Sequence, residues 1–434
     1  MNINQLGHVC LENVLIYLSP YDDLYHCKQV CRFWYGVTRE TVKRLDREFR
    51  RSLLSHDLVS HAFEAKRNEI TPRYSHSSCI FEGQLYVFGG STKERNLFND
   101  LWTFCLSKKA WNRPQTVGVY PSPKAQASLI VYERKLFLFG GQSVHRYAFG
   151  RESWKLFSEV YQFDVDRASW TLISPVNSGP RVSSHSACLS GDRMIIFGGL
   201  ILADNRSLTS SNDLWTFDLK SHTWCEIPSL SPRPSPRFGH SLIPLDEHHF
   251  LLLGGCSDQS YFLNDVWVLK LMGQTAMWTT IIVRQVDAIP FQPKLHLNPV
   301  CKVSHGQLMV LNFKRGPGQG AKSRSSSSSA VPGHEDEPHR SSESPSTSGR
   351  GAVGLHFLDI STALNYGYVS WKRSLNKSIS GPENVMMYTM HLTRNEIILF
   401  GGMTAPENAT PGTADDFPHV SNKLYVINSR IGSY

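Results

Sequence analysis

LYVFGG (Leu85–Gly90), LFLFGG (Leu136–Gly141), MIIFGG (Met194–Gly199), FLLLGG (Phe250–Gly255) and IILFGG (Ile397–Gly402) are copies of one pattern, an apolar run closed by two glycines. Their first glycines stand at 89, 140, 198, 254 and 401, in steps of 51, 58, 56 and 147. The long last step hides another copy. QLMVLNF (Gln307–Phe313) supplies the apolar run, with Asn312 and Phe313 where the glycines would be. A repeat of this period sets the architecture before any other signal does.

Further landmarks keep the same register. A short alternating segment precedes the glycine run at Ser77–Phe81, Ser128–Tyr132 and Ser186–Leu189. After the run, Asn-Asp opens a third strand at Asn99-Asp100-Leu101-Trp102, Asn212-Asp213-Leu214-Trp215 and Asn264-Asp265-Val266-Trp267. A fourth begins near Trp111, Trp170, Trp224, Trp278 and Trp371. Four short strands per repeat mark a kelch-type β-propeller. The expectation is a mainly β fold, with six blades over residues 62–434. Paired glycines permit close backbone approach where blades converge, and the tryptophans fill the wedges between blades. A sandwich would not repeat three landmarks in register.

The last copy shows no fourth strand after Lys423–Asn428, and open edges are a liability. Ala62–Ile70, which contains Phe63, is expected to close that blade. Lys314–Arg350 interrupts the fifth blade after its second strand. It carries five consecutive serines (Ser325–Ser329), Gly, Pro and mixed charge, a composition expected to stay disordered.

Of the 434 residues, 41% are hydrophobic and 11% aromatic, which excludes a wholly disordered chain. The longest apolar runs, such as Phe250–Leu253, fall far below the ~20 residues of a membrane span. Met1–Cys10 shows no basic start leading into an apolar stretch, so no secretory signal is expected. Nine cysteines, none in a C-x-x-C pair, read as reduced and mostly buried thiols. Cys27 and Cys31, four apart, would share one face of a helix.

The net charge is +8, and its distribution is uneven. Residues 28–51 hold eight bases (Lys28, Arg32, Arg39, Lys43, Arg44, Arg47, Arg50 and Arg51) against three acids. This stripe is expected to be a solvated or partner-facing helix rather than a nucleic-acid surface. No P-loop, Gly-x-Gly-x-x-Gly, Gly-x-Ser-x-Gly or His-Glu-x-x-His is present. His76, His185 and His240 recur once per repeat and so belong to the repeat, as turn residues. They do not converge on one axial site, as an oxidase of this fold class would require. No catalytic residue, metal or cofactor is expected.

Before the propeller, Leu11, Val14, Leu15 and Leu18 recur at helical spacing, and Ser19-Pro20 interrupts. Leu24, Cys27, Val30, Cys31 and Trp34 then resume it. Leu6–Val37 resembles an F-box, through Leu18-Ser19-Pro20 with Asp23-Leu24 and through Val30-Cys31-Arg32-Phe33-Trp34. Gly7 stands where that family usually has proline. The order F-box then kelch propeller is similar to the F-box/kelch-repeat substrate receptors. That resemblance implies an F-box over 1–37, a helical linker over 38–61 and the propeller beyond. It further implies a non-catalytic subunit of a Skp1–cullin–F-box ubiquitin ligase, in the cytoplasm or nucleus, whose F-box binds Skp1 and whose propeller binds the protein to be ubiquitinated. Leu6, Leu11, Val14, Leu15, Leu18, Pro20, Val30 and Trp34 are the candidate Skp1-contact or domain-core residues. The basic stretch 38–51 would be a rigid spacer. A non-ligase kelch scaffold is the alternative.

In a four-stranded meander successive connections alternate between the two faces of the disc. Strand one to two (Glu82-Gly83, Glu133-Arg134) and three to four (Ser107–Lys109, Lys220–His222) are short. Strand two to three (142–157, 200–211, 256–263, 403–421) and the links between blades are long, so the long loops share one face, expected to bind the substrate. Arg73, Lys124, Arg181 and Arg237 would ring its central mouth and suit an acidic or phosphorylated peptide. The alternative is that they tie down carbonyls between blades. His145, Arg146, Tyr147 and Trp154 in loop 142–157 are of types enriched at interface hot spots.

Overall fold

Each glycine-pair strand is buried on both faces, and its alternate side chains feed two different cores. In Gln84–Phe88, Leu85 and Val87 pack with Ile398, Phe400 and Leu424 of one neighbouring sheet. Tyr86 and Phe88 pack with Leu136, Leu138 and Trp170 of the other. Strand side chains alternate between faces, so an unbroken apolar run is what a sheet wedged between two others requires. The computed structural model describes residues 7–146, 152–259, 261–285, 299–304, 306–314, 351–372, 379–381, 385–404 and 419–429.

The antiparallel units follow the repeat. Ser77–Phe81, Gln84–Phe88, Leu101–Cys105 and Ala110–Asn112 form the first. The second has Ser128–Tyr132, Lys135–Phe139, Val160–Asp164 and Ser169–Ile173; the third has Ser186–Ser190, Arg193–Leu202, Leu208–Asp218 and Thr223–Glu226. Next come Ser241–Pro244, His249–Leu253, Val266–Met272 and Thr275–Gln285, then Cys301–Ser304, Gln307–Lys314, Gly351–Asp359 and Tyr368–Trp371. Innermost strands neighbour one another around a ring: 77–81 beside 128–132, that beside 186–190, that beside 241–244, and 301–304 beside 389–392, which returns to 77–81. Lys302 bridges the remaining step, its Nζ donating to Pro244 O at 2.8 Å and Leu245 O at 3.2 Å.

Phenylalanine precedes four of the five glycine pairs, Leu253 standing before the other, and each of the four locks one blade to the next. Phe88 meets Trp170 with ring centroids 5.4 Å apart, Phe139 meets Trp224 at 4.7 Å, Phe197 meets Trp278 at 4.7 Å and Phe400 meets Trp111 at 4.8 Å. The repeat histidine packs on the same ring, His76 on Phe400 at 5.0 Å, His185 on Phe139 at 5.3 Å and His240 on Phe197 at 5.3 Å. At Gly89 (φ +66) a Cβ would stand 2.5 Å from Lys124 O in the adjoining blade, so the close approach excludes any side chain.

Three helices precede the sheets: α1 (His8–Leu15), α2 (Asp23–Val30) and α3 (Arg32–Ser55). The second periodic segment is therefore not one helix. It breaks at Cys31, whose extended backbone caps α3 (φ −164, ψ 172), so Cys27 and Cys31 do not share a helical face. Four thiols are buried, Cys79, Cys188, Cys256 and Cys301, while Cys10 and Cys31 are exposed and the other three lie between. α3 ends at His56 in the left-handed region, and β1 (Leu58–Glu64) follows at once. β1 pairs antiparallel with Lys423–Ser429, from Leu58↔Ser429 to Glu64↔Lys423, beside Glu396–Phe400 and Thr389–Leu392. The closing strand thus lies at 58–64, earlier than the expected 62–70. The reason is the short exit from α3, which delivers Leu58 straight to the sheet and leaves 65–70 to lead on to Arg73. Residues 58–61 are accordingly strand rather than linker, and α3 runs unbroken across position 37. Of the insertion, 315–350 lie outside the described residues; its flanks pair as Lys314↔Ala352.

Candidate protein-interaction faces

The helical module has its own core of Leu11, Leu15, Leu24, Trp34, Val37 and Leu45. Leu11, Leu15, Pro20 and Trp34 are buried and Leu18 half-buried, so these hold the module together rather than face a partner. Val14 and Val30 are exposed, at 47% and 55%, and Leu6 lies outside the described residues. Val9, Tyr17, Tyr25, Phe33 and Tyr35 are exposed with them. The sequence reading missed these five because helical periodicity marks a buried stripe and is silent on large side chains off it.

The module sits on the short-turn face of the disc. The Tyr21 hydroxyl donates to Glu396 Oε2 at 2.8 Å and shares a 2.7 Å hydrogen bond with Thr393. Glu396, 1% exposed, also takes Lys109 Nζ at 2.8 Å. Burial first, then the Glu396 charge, pushes the Tyr21 phenol well above its usual range. Ser107 donates to Asp22 at 2.5 Å and Arg394 donates to Pro20 O. A second anchor is the end of α3, where Phe49 and Leu53 are buried among Leu311, Leu355, Leu399 and Ile427. The stretch 38–51 is therefore no free-standing spacer, since Leu45 belongs to the module's core and Phe49 to that of the sheets.

On the opposite face two of the expected loops are hairpins. Gln142–Arg146 pairs with Glu152–Leu156, and the Arg193–Leu202 and Leu208–Asp218 strands run on past a register shift at Phe197/Gly199. Trp154 is half-buried opposite Val144. His145 and Arg146 contribute backbone to the first hairpin; their side chains, and all of Tyr147, lie outside the described residues.

The expected ring of cations is not a binding surface. Arg73 is 0% exposed. Its guanidinium grips Asp100 at 2.7 and 3.0 Å, donates to Gly89 O at 2.9 Å and lies 4.1 Å over the Phe98 ring. Arg237, also 0% exposed, repeats this with Asp265 at 2.7 and 2.8 Å and Gly254 O at 3.0 Å. Lys124 Nζ sits 4.0 Å over the Phe157 ring and 3.5 Å from Glu159, and burial lowers its pKa to about 8. Burial opposes the charge on Asp100 and Asp265, but the hydrogen bonds and charge of their arginines outweigh it and hold both below the usual carboxylate range. These three cations staple strands within their own blades. Arg181 alone of the four is exposed.

The repeat histidines are ties between blades rather than turn residues. His76 shares a 2.8 Å hydrogen bond with Thr389 and His185 one of 2.9 Å with Ser128, while His240 donates to Phe197 O at 3.1 Å. Among the described residues no group of His, Cys, Asp or Glu could hold a metal, and no helix is long and apolar enough to cross a membrane.

Residues 73–278 match the family model described as FBX42, beta-propeller domain. Acyl-CoA-binding domain-containing protein 4 of Arabidopsis thaliana is 31% identical over 218 residues, covering 48% of this chain and 30% of its own. Kelch domain-containing protein 3 of Bos taurus is 24% identical over 202 residues, 45% of this chain and 50% of its own. Kelch domain-containing protein 10 of Rattus norvegicus is 26% identical over 257 residues, 56% of this chain and 58% of its own. The chain thus spans from under a third to somewhat over half the length of these curated relatives. With the glycine-pair strands that these matches cross, the chain carries a kelch-type β-propeller, a protein-interaction fold.

Proposed function

We propose that this chain is the substrate-recognition subunit of a Skp1–cullin–F-box type ubiquitin ligase, built as a six-bladed propeller with an F-box at its N-terminal end. One observation carries the reading. The helical module is fixed to the short-turn face and still turns Val9, Val14, Tyr17, Val30, Phe33 and Tyr35 outward. A small module exposing that much apolar surface fits a protein partner. Through Skp1 the chain would join a cullin, and the hairpins of the far face would hold the protein to be modified, in the cytoplasm or nucleus. The chain itself supplies no catalytic group or cofactor in this reading.

Co-purification with Skp1 tests it. Val14→Asp with Val30→Asp, both at exposed positions, should abolish Skp1 retention while the melting temperature holds. Absence of Skp1 from the wild-type eluate would instead favour a kelch scaffold outside the ligase.

A further inference from the structure

Four backbone positions are equivalent in the propeller. The carbonyls of Arg73, Lys124, Val182 and Arg237 accept from the second glycine of the preceding blade, Gly402, Gly90, Gly141 and Gly199, at 3.0, 3.0, 2.9 and 2.8 Å. Three of these residues are buried cations, each paired with the carboxylate that opens its blade's third strand: Asp100, Glu159 and Asp265. The third blade keeps the carboxylate, Asp213, but has Val182 in the cation's place, 2% exposed. Its arginine is displaced by one residue to Arg181 and is exposed. Asp213 is exposed too; Ser211 Oγ donates to it at 2.7 Å, and no cation pairs with it among the described residues.

We propose that Asp213 is an anchor for a lysine or arginine of the captured protein, which supplies the cation that this blade alone among the four lacks. The neighbouring blade gives the template. Arg237 holds Asp265 through two parallel hydrogen bonds although the carboxylate remains 40% exposed, and Asp213, which is exposed, can take a guanidinium or ammonium from solvent. The place lies midway along the Leu208–Asp218 strand, at its register shift opposite Phe197/Gly199, where the hairpin of the long-loop face begins. The hairpin above it is tethered by Asp258, which takes Thr209 Oγ1 at 2.7 Å and Ser210 N at 2.6 Å. An incoming basic side chain would thus meet a fixed carboxylate on a braced strand. The inference rests on the long-loop face being the capture face, and it replaces the acidic-peptide expectation, three of whose four cations are spent inside the fold.

The test selects a random peptide library displayed on phage against the whole chain. Enriched peptides should share a lysine or arginine, and changing it to glutamine should weaken binding at least about tenfold. Asp213→Asn should lose as much, and so should Val182→Arg, which fills the place from within. Asp213→Asn carries the test if Val182→Arg fails to fold. Selection without binders, binders without a shared basic residue, or equal binding by Asp213→Asn overturns the proposal. Peptides that ignore Asp213 but are lost when residues 143–155 are replaced by a Gly-Ser turn would keep the capture face and remove only the basic anchor.

Discussion

Tyr21 and Glu396 stand 375 residues apart in the chain and 2.8 Å apart in the fold, the phenol donating to a nearly buried carboxylate. Lys109 reaches the same carboxylate from the first blade, so one acid joins the helical module, the first blade and the closing blade. A buried charge shared in this way is costly to leave short of a partner.

Tyr21→Phe keeps the ring against Gly83 and removes only the hydroxyl. A hydrogen bond to a charged group contributes about 1.5–3 kcal/mol, and the loss should fall on docking rather than on the sheets. Amide hydrogen exchange over 8–30 should accelerate while exchange in 84–88 and 136–139 does not change. Uniform acceleration across the propeller would show that this contact supports the whole fold.

Arg73→Ala and Arg237→Ala each leave a carboxylate without its guanidinium and a strand-end carbonyl without a donor. Removing one partner of a buried pair costs about 3–5 kcal/mol, so both variants should melt well below the wild type. Arg181→Ala should not. If all three melt alike, the staple interpretation fails.

The difference between these arginines is legible in the chain. Arg73 and Arg237 precede their histidine by three residues and Arg181 by four, an offset that puts Val182 at the shared position. Strands, tryptophan wedges and the two faces follow from glycine spacing because those features are local and periodic. The staples are not local, since Asp100 lies 27 residues beyond Arg73. Nor can periodicity in Leu6–Val37 separate residues that close the module from those it presents: Leu15 and Val14 are adjacent, the one buried and the other exposed. The closing strand lies earlier than its expected place because only His56 and Asp57 separate it from the end of α3.

Acid should unfold the propeller through its blade-to-blade histidines. Burial holds His76, His185 and His240 at about 3 and His391 at about 4, against 6.5 when unfolded. Neutral inside the fold, these groups contribute their stability in full above pH 6.5. Below it the unfolded chain takes up protons that the folded one refuses, and stability falls until the folded groups titrate near 4 to 3. Each histidine adds a slope of about 1.4 kcal/mol per pH unit in that window. Denaturant titrations at pH 6 and 5 should therefore show several protons taken up on unfolding; uptake near zero would rule out this origin of acid sensitivity.

The last test concerns α3, whose final two turns bury Phe49 and Leu53 in the propeller. Phe49 is 2% exposed and Leu53 1%, so Phe49→Ala should cost about 3–5 kcal/mol. Inserting Gly-Pro after Glu48 should be worse, because proline in a helix interior removes a hydrogen bond and costs about 3 kcal/mol or more. It also moves the rest of the helix on by two residues, a rotation of about 200° that turns Phe49 and Leu53 away from the sheets. A spacer that merely set a distance would tolerate that insertion with the melting temperature intact and only ubiquitin transfer reduced. An integral strut would not, and β1, which starts three residues after Ser55, would lose its place beside Lys423–Ser429. Thermal melts of the two variants beside the wild type separate these outcomes, and loss of the folded transition in the insertion variant is the result expected.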